Sequence, residues 1–301
     1  MKPNDRITES ENPNTAGIDK LDVTSALLLI NEEDSRVAQA VKDAVPDIAE
    51  LIENLVPRVK KGGRLIYIGT GTSGRLGVLD ASEIPPTFGV PPGRVVGLIA
   101  GGYDALHQAV EASEDDFRAG AEDLDSIGLG PNDSVIGIAA SGRTPYTIGA
   151  LAHANRLGCL TGCITCVPDS EIVDQAAYPI VAVVGPEVIA GSTRMKSGTA
   201  QKMILNMIST MLMIRLGYVI GNRMTNVRPS NEKLRERTVR ILVSETDLDE
   251  ASAIELLNRT DGDLKVAIVT AKTGATIERA VEALKASDQV IATAVERLGA
   301  I

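Results

Sequence analysis

The segment RLIYIGTGTSGRLGVLDASEIPP, residues Arg64 to Pro86, predicts a strand, a tight turn and a helix in direct succession. Arg64 to Ile68 is rich in the β-branched and aromatic residues that are typical of a strand. Gly69 to Gly74 consists only of glycine, threonine and serine, and the helix that follows is expected to end at Pro85 and Pro86. Backbone N–H groups at such a helix start form an anion site together with hydroxyl groups, so the loop predicts a bound phosphate.

The spacing G-x-G-x-x-G in the same loop also fits a dinucleotide-binding turn. That kind of site requires an acidic residue at the end of the second strand to hold a ribose. The second strand, Val95 to Ile99, runs instead into Ala100, Gly101 and Gly102, and the next carboxylate is Asp104. The density of hydroxyl groups therefore favours a phosphomonoester. A tight turn with a capped helix and no ligand is the remaining alternative.

Strand and helix patterns alternate from residue 64 to residue 184, which predicts a parallel sheet covered by helices on both faces. The expected strands are Arg64–Ile68, Val95–Ile99, Ser134–Ala139, Leu160–Val167 and Ile180–Val184. Ligands of such sheets bind beyond the carboxyl ends of the strands. Two further hydroxyl-rich loops are expected there, Ser141 to Pro145 and Glu187 to Gln201, and the second opens a long helix expected to end near Leu216.

Helical patterns flank this alternating region on both sides. Ser35 to Lys61 predicts helices with one buried stripe, interrupted near Pro46. From Asn231 onward the pattern predicts five short helices and no strand, which indicates a small helical bundle. We therefore expect two domains, residues 1–240 and residues 241–301.

Composition limits the class of partner. The 301 residues are 44% hydrophobic and 23% charged, as in an ordinary globular protein. Aromatic residues make up 2% with no tryptophan, and the net charge is −10, so we expect no nucleic-acid ligand. The first 17 residues lack the regions of a signal peptide and no apolar run approaches a membrane span, so we expect a cytoplasmic protein that does not bind membranes.

Three cysteines, Cys159, Cys163 and Cys166, follow His153 at a spacing that raises the question of a zinc site. The last two lie on the expected fourth strand and the first lies directly before it. The alternating side chains of a strand would not converge on one ion. We expect small core residues there, and no metal.

Two glutamates occupy positions that are unusual for a carboxylate. A helix expected over Ala105 to Leu124 places Glu114 on its apolar stripe, where partial burial would suit a general acid or base. Glu83 lies in the last helical turn before Pro85, where the helix macrodipole is negative and acids are normally avoided. The alternative for Glu114 is a side chain that reaches solvent or pairs with an arginine, and the alternative for Glu83 is an exposed side chain of little consequence. Together they indicate proton transfer on a phosphorylated metabolite.

Several long ungapped motifs resemble those of the N-acetylmuramic acid 6-phosphate etherases. They are Gly71–Gly77, Asp80–Glu83, Pro85–Thr87, Gly97–Gly102, Ala140–Tyr146, Gly191–Lys202 and Asn231–Leu234. The resemblance covers essentially the whole chain. It implies an α/β fold: a three-layer αβα sandwich on a five-stranded parallel sheet, known as a sugar isomerase (SIS) domain, and a small C-terminal helical bundle similar to a ubiquitin-associated domain. It also implies a homodimer, a sugar phosphate substrate, a cytoplasmic role in recycling peptidoglycan sugars, and no metal or organic cofactor.

The reaction that the resemblance implies cleaves a D-lactyl ether by elimination and water addition. It further implies Glu83 as the proton donor to the departing lactate and Glu114 as the second acid/base residue, and it leaves open which carboxylate removes the C2 proton. Loop chemistry and fold analogy add these candidate substrate contacts: Thr72, Ser73, Ser141, Gly142, Arg143, Thr144, Ser192, Thr193, Lys196 and Ser197. A phosphosugar isomerase and a noncatalytic phosphosugar-sensing regulator are the alternatives.

Overall fold

A five-stranded parallel sheet forms the centre of the fold, in the strand order β2-β1-β3-β4-β5. The computed structural model describes residues 7–108, 114–225 and 232–299. The strands are β1 (Leu65–Gly69), β2 (Val95–Ile99), β3 (Ser134–Ile138), β4 (Leu160–Thr165) and β5 (Tyr178–Val181). All four neighbouring pairs are parallel, which confirms the predicted sheet. The edge strand β5 pairs with Gly162 to Thr165 of β4. Strand β4 ends at Thr165 and not at Val167, and β5 covers Tyr178–Val181 and not Ile180–Val184, so both are shorter than expected.

Helices cover both faces of the sheet. The helices up to residue 215 are α1 (Val23–Asp34), α2 (Val37–Asp43), α3 (Val45–Lys60), α4 (Gly71–Phe88), α5 (Ala119–Ser126), α6 (Pro145–Arg156), α7 (Glu171–Gln175) and α8 (Lys196–Arg215). Because side chains alternate along a strand, Ile68 packs with Tyr146 of α6 on one face. On the other face Tyr67 lies against Gly77 of α4, and Gly162 lies against Leu51 of α3. The three-layer αβα architecture is therefore confirmed.

Helix α4 does not end at Pro85, so that expectation is wrong. It continues to Phe88 with both prolines inside it, and the N–H group of Gly89 closes it on the Pro85 carbonyl at 2.9 Å. Each proline removes one backbone hydrogen bond. Ile84 and Phe88 are buried at 4% and 6% exposure, so packing on both sides of the prolines holds the last turn in helical form.

The helix expected over Ala105 to Leu124 is also wrong. A short 3-10 helix covers Tyr103–Leu106, residues 109–113 lie outside the described residues, and α5 begins only at Ala119. The Asp116 carboxylate accepts hydrogen bonds from the N–H groups of Arg118 and Ala119, at 2.8 and 3.2 Å. This local turn competes with a continuous helix. Glu114 therefore lies in a bend before α5, not on a helical stripe.

The C-terminal helices form a bundle with its own apolar core. A hairpin of β6 (Val219–Ile220) and β7 (Arg223–Met224) precedes α9 (Glu232–Glu245), α10 (Glu250–Arg259), α11 (Leu264–Thr273), α12 (Ile277–Lys285) and α13 (Ile291–Leu298). The five helices of the tail are as predicted, and their core includes Leu242, Ile268 and Leu284. By compactness the chain divides into residues 1–82 with 93–209, and residues 83–92 with 210–301. The expected domain boundary at residue 240 stays a prediction.

The three cysteines lie in the core of the sheet layer. Burial raises the pKa of the Cys159 thiol to about 11 and that of Cys163 and Cys166 to about 12. Among the residues that the structure describes, no group of three or more histidine, cysteine, aspartate or glutamate side chains is arranged to hold a metal ion. Within the same ranges, no helix combines the length and apolar character needed to cross a membrane.

Lys265 on α11 is a buried cation in the helical bundle. Its side chain is 3% exposed, its Nζ lies 4.5 Å above the ring of Tyr218, and it donates to the Gln289 carbonyl at 3.4 Å. Burial lowers the pKa of Lys265 from its ordinary 10.5 to about 8. The unfolded chain therefore binds more protons than the folded chain between these two values, so this group's contribution to stability rises as the pH rises from 8 to 10.5.

We expect Lys265→Met to raise the free energy of unfolding at pH 7 by about 1–2 kcal/mol, because it removes a buried charge and keeps the apolar contact. The substitution should also abolish this group's gain in stability between pH 8 and 10.5. Urea unfolding at pH 7 and pH 10 measures both effects. Lys285→Met, at an exposed position of α12, is the matched control. A lower stability of Lys265→Met at pH 7 would contradict this account.

Candidate functional site

The turn between β1 and α4 brings backbone segments very close together. A Cβ atom placed on Gly74 would lie 2.6 Å from the carbonyl oxygen of Gly69 and 2.7 Å from the side chain of Ile99. One placed on Gly69 would lie 2.7 Å from the carbonyl oxygen of Ile138. Only glycine fits at either position. The close approach lets the chain turn directly from the end of β1 into the first turn of α4, as the sequence predicts.

The starts of α4 and α8 lie side by side at the carboxyl edge of the sheet. The Ser73 hydroxyl donates to Gln201 Oε1 at 2.9 Å, and a Cβ placed on Gly198 would lie 3.4 Å from the side chain of Thr72. Thr72 is half-buried and Ser73 is 8% exposed. The structure therefore brings the first and third hydroxyl-rich loops together.

Glu114 connects the first loop to the second. Its carbonyl oxygen accepts a hydrogen bond from the N–H group of Tyr146, in the first turn of α6, at 3.1 Å. Its carboxylate reaches the other way, so that Oε1 lies 3.4 Å from a Cβ placed on Gly71. The side chain is half-buried. A carboxylate thus lies at the mouth of the glycine-rich loop between β1 and α4, although the bend that carries it is not the predicted helix.

Glu83 does not lie at this loop. It is exposed, and it is twelve residues further along α4 than Gly71, which corresponds to about 18 Å of helix.

The loop before α6 presents half-buried polar side chains from Ser141, Arg143 and Thr144. Thr144 is the N-cap residue of α6, but its side chain makes no capping hydrogen bond. Gly142 has a different role, because its φ is +69° and a Cβ there would lie 2.1 Å from Ser170 Oγ. Gly142 therefore shapes the loop, and the three polar residues remain the candidate ligand contacts.

The start of α8 is already occupied by a carboxylate of the chain. Glu187, which is fully buried, accepts hydrogen bonds from the N–H groups of Lys196 and Ser197, both at 2.9 Å, and from the Ser197 hydroxyl at 2.7 Å. Lys196 Nζ donates to Glu33 at 2.7 Å. Lys196 and Ser197 are thus engaged in internal contacts, whereas Ser192 and Thr193 are half-buried in the loop ahead of them.

Sequence reasoning did not identify the burial of several carboxylates, among them Glu33, Asp80 and Glu187. Burial raises the pKa of Asp80, which accepts a hydrogen bond from Ser209 Oγ at 3.1 Å and ties α4 to α8. Glu33 lies in the polar, mostly acidic run from Asn31 to Asp34, a pattern that is typical of a solvated helix face. Lys196 is 163 positions from Glu33 and Ser209 is 129 positions from Asp80, so no local pattern reveals these two contacts.

Comparison with known proteins identifies the family. The chain is 52% identical over 290 residues to the N-acetylmuramic acid 6-phosphate etherase of Caldanaerobacter subterraneus subsp. tengcongensis, covering 96% of this chain and 95% of the relative. It is 51% identical over 279 residues to the protein of the same name from Yersinia pestis, covering 93% and 95%. The chain belongs to the N-acetylmuramic acid 6-phosphate etherase family. This confirms the family that the motifs indicated.

Two domain models locate this etherase family member among SIS proteins. The model described as the SIS domain matches residues 117–211, and the one described as the glucokinase regulatory protein N-terminal SIS domain matches residues 47–155. Together the two matched regions span the sheet, the loop from Gly69 to Gly74, Glu114 and the first turns of α8. The site assembled above therefore lies within the matched SIS region.

We expect Gly74→Ala to lower the free energy of unfolding by about 1–3 kcal/mol, because the new methyl group would overlap the Gly69 carbonyl. The backbone of α4 must shift to relieve this overlap, so affinity for a phosphorylated sugar should fall as well. Urea unfolding and calorimetric titration measure the two effects.

Gly17→Ala is the matched control for this substitution. No heavy atom lies within 4 Å of a Cβ placed on Gly17, and its φ is −123°. A change of less than about 0.5 kcal/mol is expected there. Equal stability of the two variants would mean that the turn accommodates a side chain.

Proposed function

We propose that this chain cleaves the D-lactyl ether of N-acetylmuramate 6-phosphate, giving N-acetylglucosamine 6-phosphate and D-lactate. Membership of the etherase family supports this proposal, and one feature of the site carries it chemically: the Glu114 carboxylate at the mouth of a glycine- and hydroxyl-rich loop. A phosphate held by the loop would place the sugar ring within reach of a proton acceptor. As the family resemblance implies, we place the reaction in the cytoplasm.

The phosphate is best held between the starts of α4 and α6. Both helices begin at the carboxyl edge of the sheet, where N–H groups and the positive end of the helix dipole favour an anion. Thr72 and Ser73 border the first helix start, and Ser141, Arg143 and Thr144 border the second. The start of α8 is a poorer choice because Glu187 already binds there.

The chemistry requires only proton transfers. In the open-chain sugar the aldehyde at C1 acidifies the proton on C2, so a carboxylate removes that proton and the C3–O bond to lactate breaks. A carboxylic acid protonates the departing lactate oxygen. Water then adds at C3 of the unsaturated intermediate and a proton returns to C2. No step in this sequence calls on a metal or an organic cofactor.

We assign protonation of the lactate oxygen to Glu83 and the second acid/base role to Glu114, as the family resemblance implies. Helix α4 extends about 18 Å from Gly71, where the Glu114 carboxylate lies, to Glu83. This distance is too long for one sugar to contact both carboxylates. We therefore propose a homodimer in which Glu83 of the partner subunit completes the site that holds Glu114.

Exposed apolar side chains support this dimer. Leu79, one helical turn before Glu83 on the same face of α4, is 50% exposed. Helix α8 carries Met207, Met211 and Ile214, each exposed by 38% to 39%, at the spacing of one helix face. A second copy of the chain that covers these side chains would bring its own α4 close to the first.

Lactate release from N-acetylmuramate 6-phosphate is the direct test of the activity. Purified protein should release one D-lactate per N-acetylglucosamine 6-phosphate formed. An isomerised sugar without lactate would replace the proposal by a phosphosugar isomerase. Binding without turnover would favour a regulator, the alternative to which the match with the glucokinase regulatory protein's SIS domain points.

Mixed dimers test the shared site. We expect Glu83→Gln and Glu114→Gln each to lose lactate release by at least about a hundredfold, because each removes an acid/base group. When the two variants are co-expressed in equal amounts, half of the dimers combine one of each. One of the two sites in such a dimer has both native glutamates, so activity should recover to about a quarter of wild type.

Each variant expressed alone is the control for this experiment. If both glutamates came from the same chain, every site in the mixture would lack one of them. Activity that stays at the level of the single variants would therefore exclude the shared site, without affecting the etherase assignment.

A further inference from the structure

A cluster of buried polar side chains joins the N-terminal segment to the start of α8. No step of the proposed reaction uses it. Its members are each at most 6% exposed: Thr8, Asn12, Thr15, Glu33, Glu187, Lys196 and Ser197. We refer to these seven residues as the N-terminal polar cluster. Buried polar groups are retained only when they are well paired, so their contacts indicate what the cluster holds in place.

Glu33 is the centre of the cluster. Its carboxylate accepts from Lys196 Nζ at 2.7 Å, from Asn12 Nδ2 at 2.8 Å and from Asn14 Nδ2 at 2.9 Å, and Arg36 lies 3.3 Å away. Burial alone would raise the pKa of Glu33, but the hydrogen bonds from Lys196 and the two asparagines outweigh it and lower the pKa to about 2. The carboxylate is therefore ionised and paired with Lys196 in a nearly closed environment.

The same N-terminal segment holds the backbone of the loop ahead of α8. The Thr15 hydroxyl donates to the Val188 carbonyl at 2.8 Å, and Asn12 Nδ2 donates to the Pro186 carbonyl at 3.3 Å. The N–H group of Gly191 donates to the Thr8 carbonyl at 3.0 Å. The loop that carries Ser192 and Thr193 is thus hydrogen-bonded at three points to residues 173 to 183 positions earlier in sequence.

The far side of this loop meets the phosphate site. Lys196 is the first residue of α8, and Gly198, two residues later, lies against Thr72 at the start of α4. A displacement of Lys196 would therefore move the first turn of α8 relative to Thr72. It would also move Ser192 and Thr193, whose loop ends at Lys196.

We propose that Glu33 and Lys196 act as positioning residues: their buried ion pair sets the place of the loop from residue 188 to residue 195, and thereby the affinity of the site for the phosphosugar. This inference rests on the proposed function in taking that site as the one that binds the sugar. Neither side chain needs to touch the substrate. Lys196 then acts through the loop and not as a phosphate ligand.

Replacing both members of the pair separates positioning from simple stability. Removing one partner leaves a buried charge without its counter-ion, whereas replacing both by uncharged groups of similar size is often neutral for stability. The double variant Glu33→Gln/Lys196→Met should therefore regain the thermal stability lost by either single variant. It still lacks the attraction that sets the loop, so its substrate affinity should stay low.

The test compares wild type, both single variants and the double variant. For the double variant we expect KM for N-acetylmuramate 6-phosphate to rise by about tenfold, with kcat within about twofold of wild type, because uniform binding is lost and the acid/base groups remain. The dissociation constant of N-acetylglucosamine 6-phosphate, measured by calorimetry, should rise by the same factor. Glu32→Gln, at the exposed neighbouring position of α1, is the matched control and should leave KM unchanged.

Two results would overturn the proposal. One is a stable double variant whose KM and dissociation constant equal those of wild type. The other is a fall in kcat at unchanged KM, which would place Lys196 in the chemical step. If wild-type protein binds N-acetylglucosamine 6-phosphate but releases no lactate, the proposed reaction fails and the dissociation constants alone decide the positioning role. If wild-type protein does not bind this sugar, both proposals fall.

Discussion

The close approach of Gly69 and Gly74 is the constraint on which the rest of the site depends. With no side chain at either position, the chain passes from β1 into α4 within a few residues, and the N-terminus of α4 lies directly over the edge of the sheet. Thr72, Ser73 and the Glu114 carboxylate gather around this point. A side chain at Gly74 would separate strand and helix and scatter these groups, because the obstructing atom is a backbone carbonyl that cannot rotate away.

Helices α4, α6 and α8 all begin at this edge, yet they do not offer equivalent anion sites. Glu187 binds the first N–H groups of α8 and so satisfies donors that would otherwise attract a phosphate. Two other hydrogen bonds, Ser73 to Gln201 and Ser209 to Asp80, join α8 to α4. Lys196 is engaged in a similar way, because its ammonium group forms an ion pair with Glu33. Of the candidate ligand contacts, Lys196 and Ser197 are therefore engaged in internal contacts, whereas the side chains of Ser141, Arg143 and Thr144 are half-buried at the start of α6.

Glu83 is close to the glycine-rich loop in sequence but far from Gly71 along helix α4. Glu83 is only twelve positions after Gly71 in sequence, but a continuous helix converts that interval into about 18 Å. Glu114 is forty-three positions after Gly71, and its carboxylate lies against that residue. The homodimer that we propose would let the two glutamates act on one substrate, and it would cover the exposed apolar side chains on α4 and α8.

Sequence by itself determined the parallel sheet, the tight glycine-rich turn before α4, the long helix α8, the helical tail and the family, because each depends on local periodicity, glycine placement or an ungapped motif. Tertiary structure decided the rest. It carried α4 through Pro85, since buried neighbours offset two missing hydrogen bonds, and it placed Glu114 in a bend through contacts with α6. It also buried Glu33, Asp80 and Glu187 beside partners distant in sequence. Burial and pairing of a charge depend on which distant segments meet, and no local pattern encodes that.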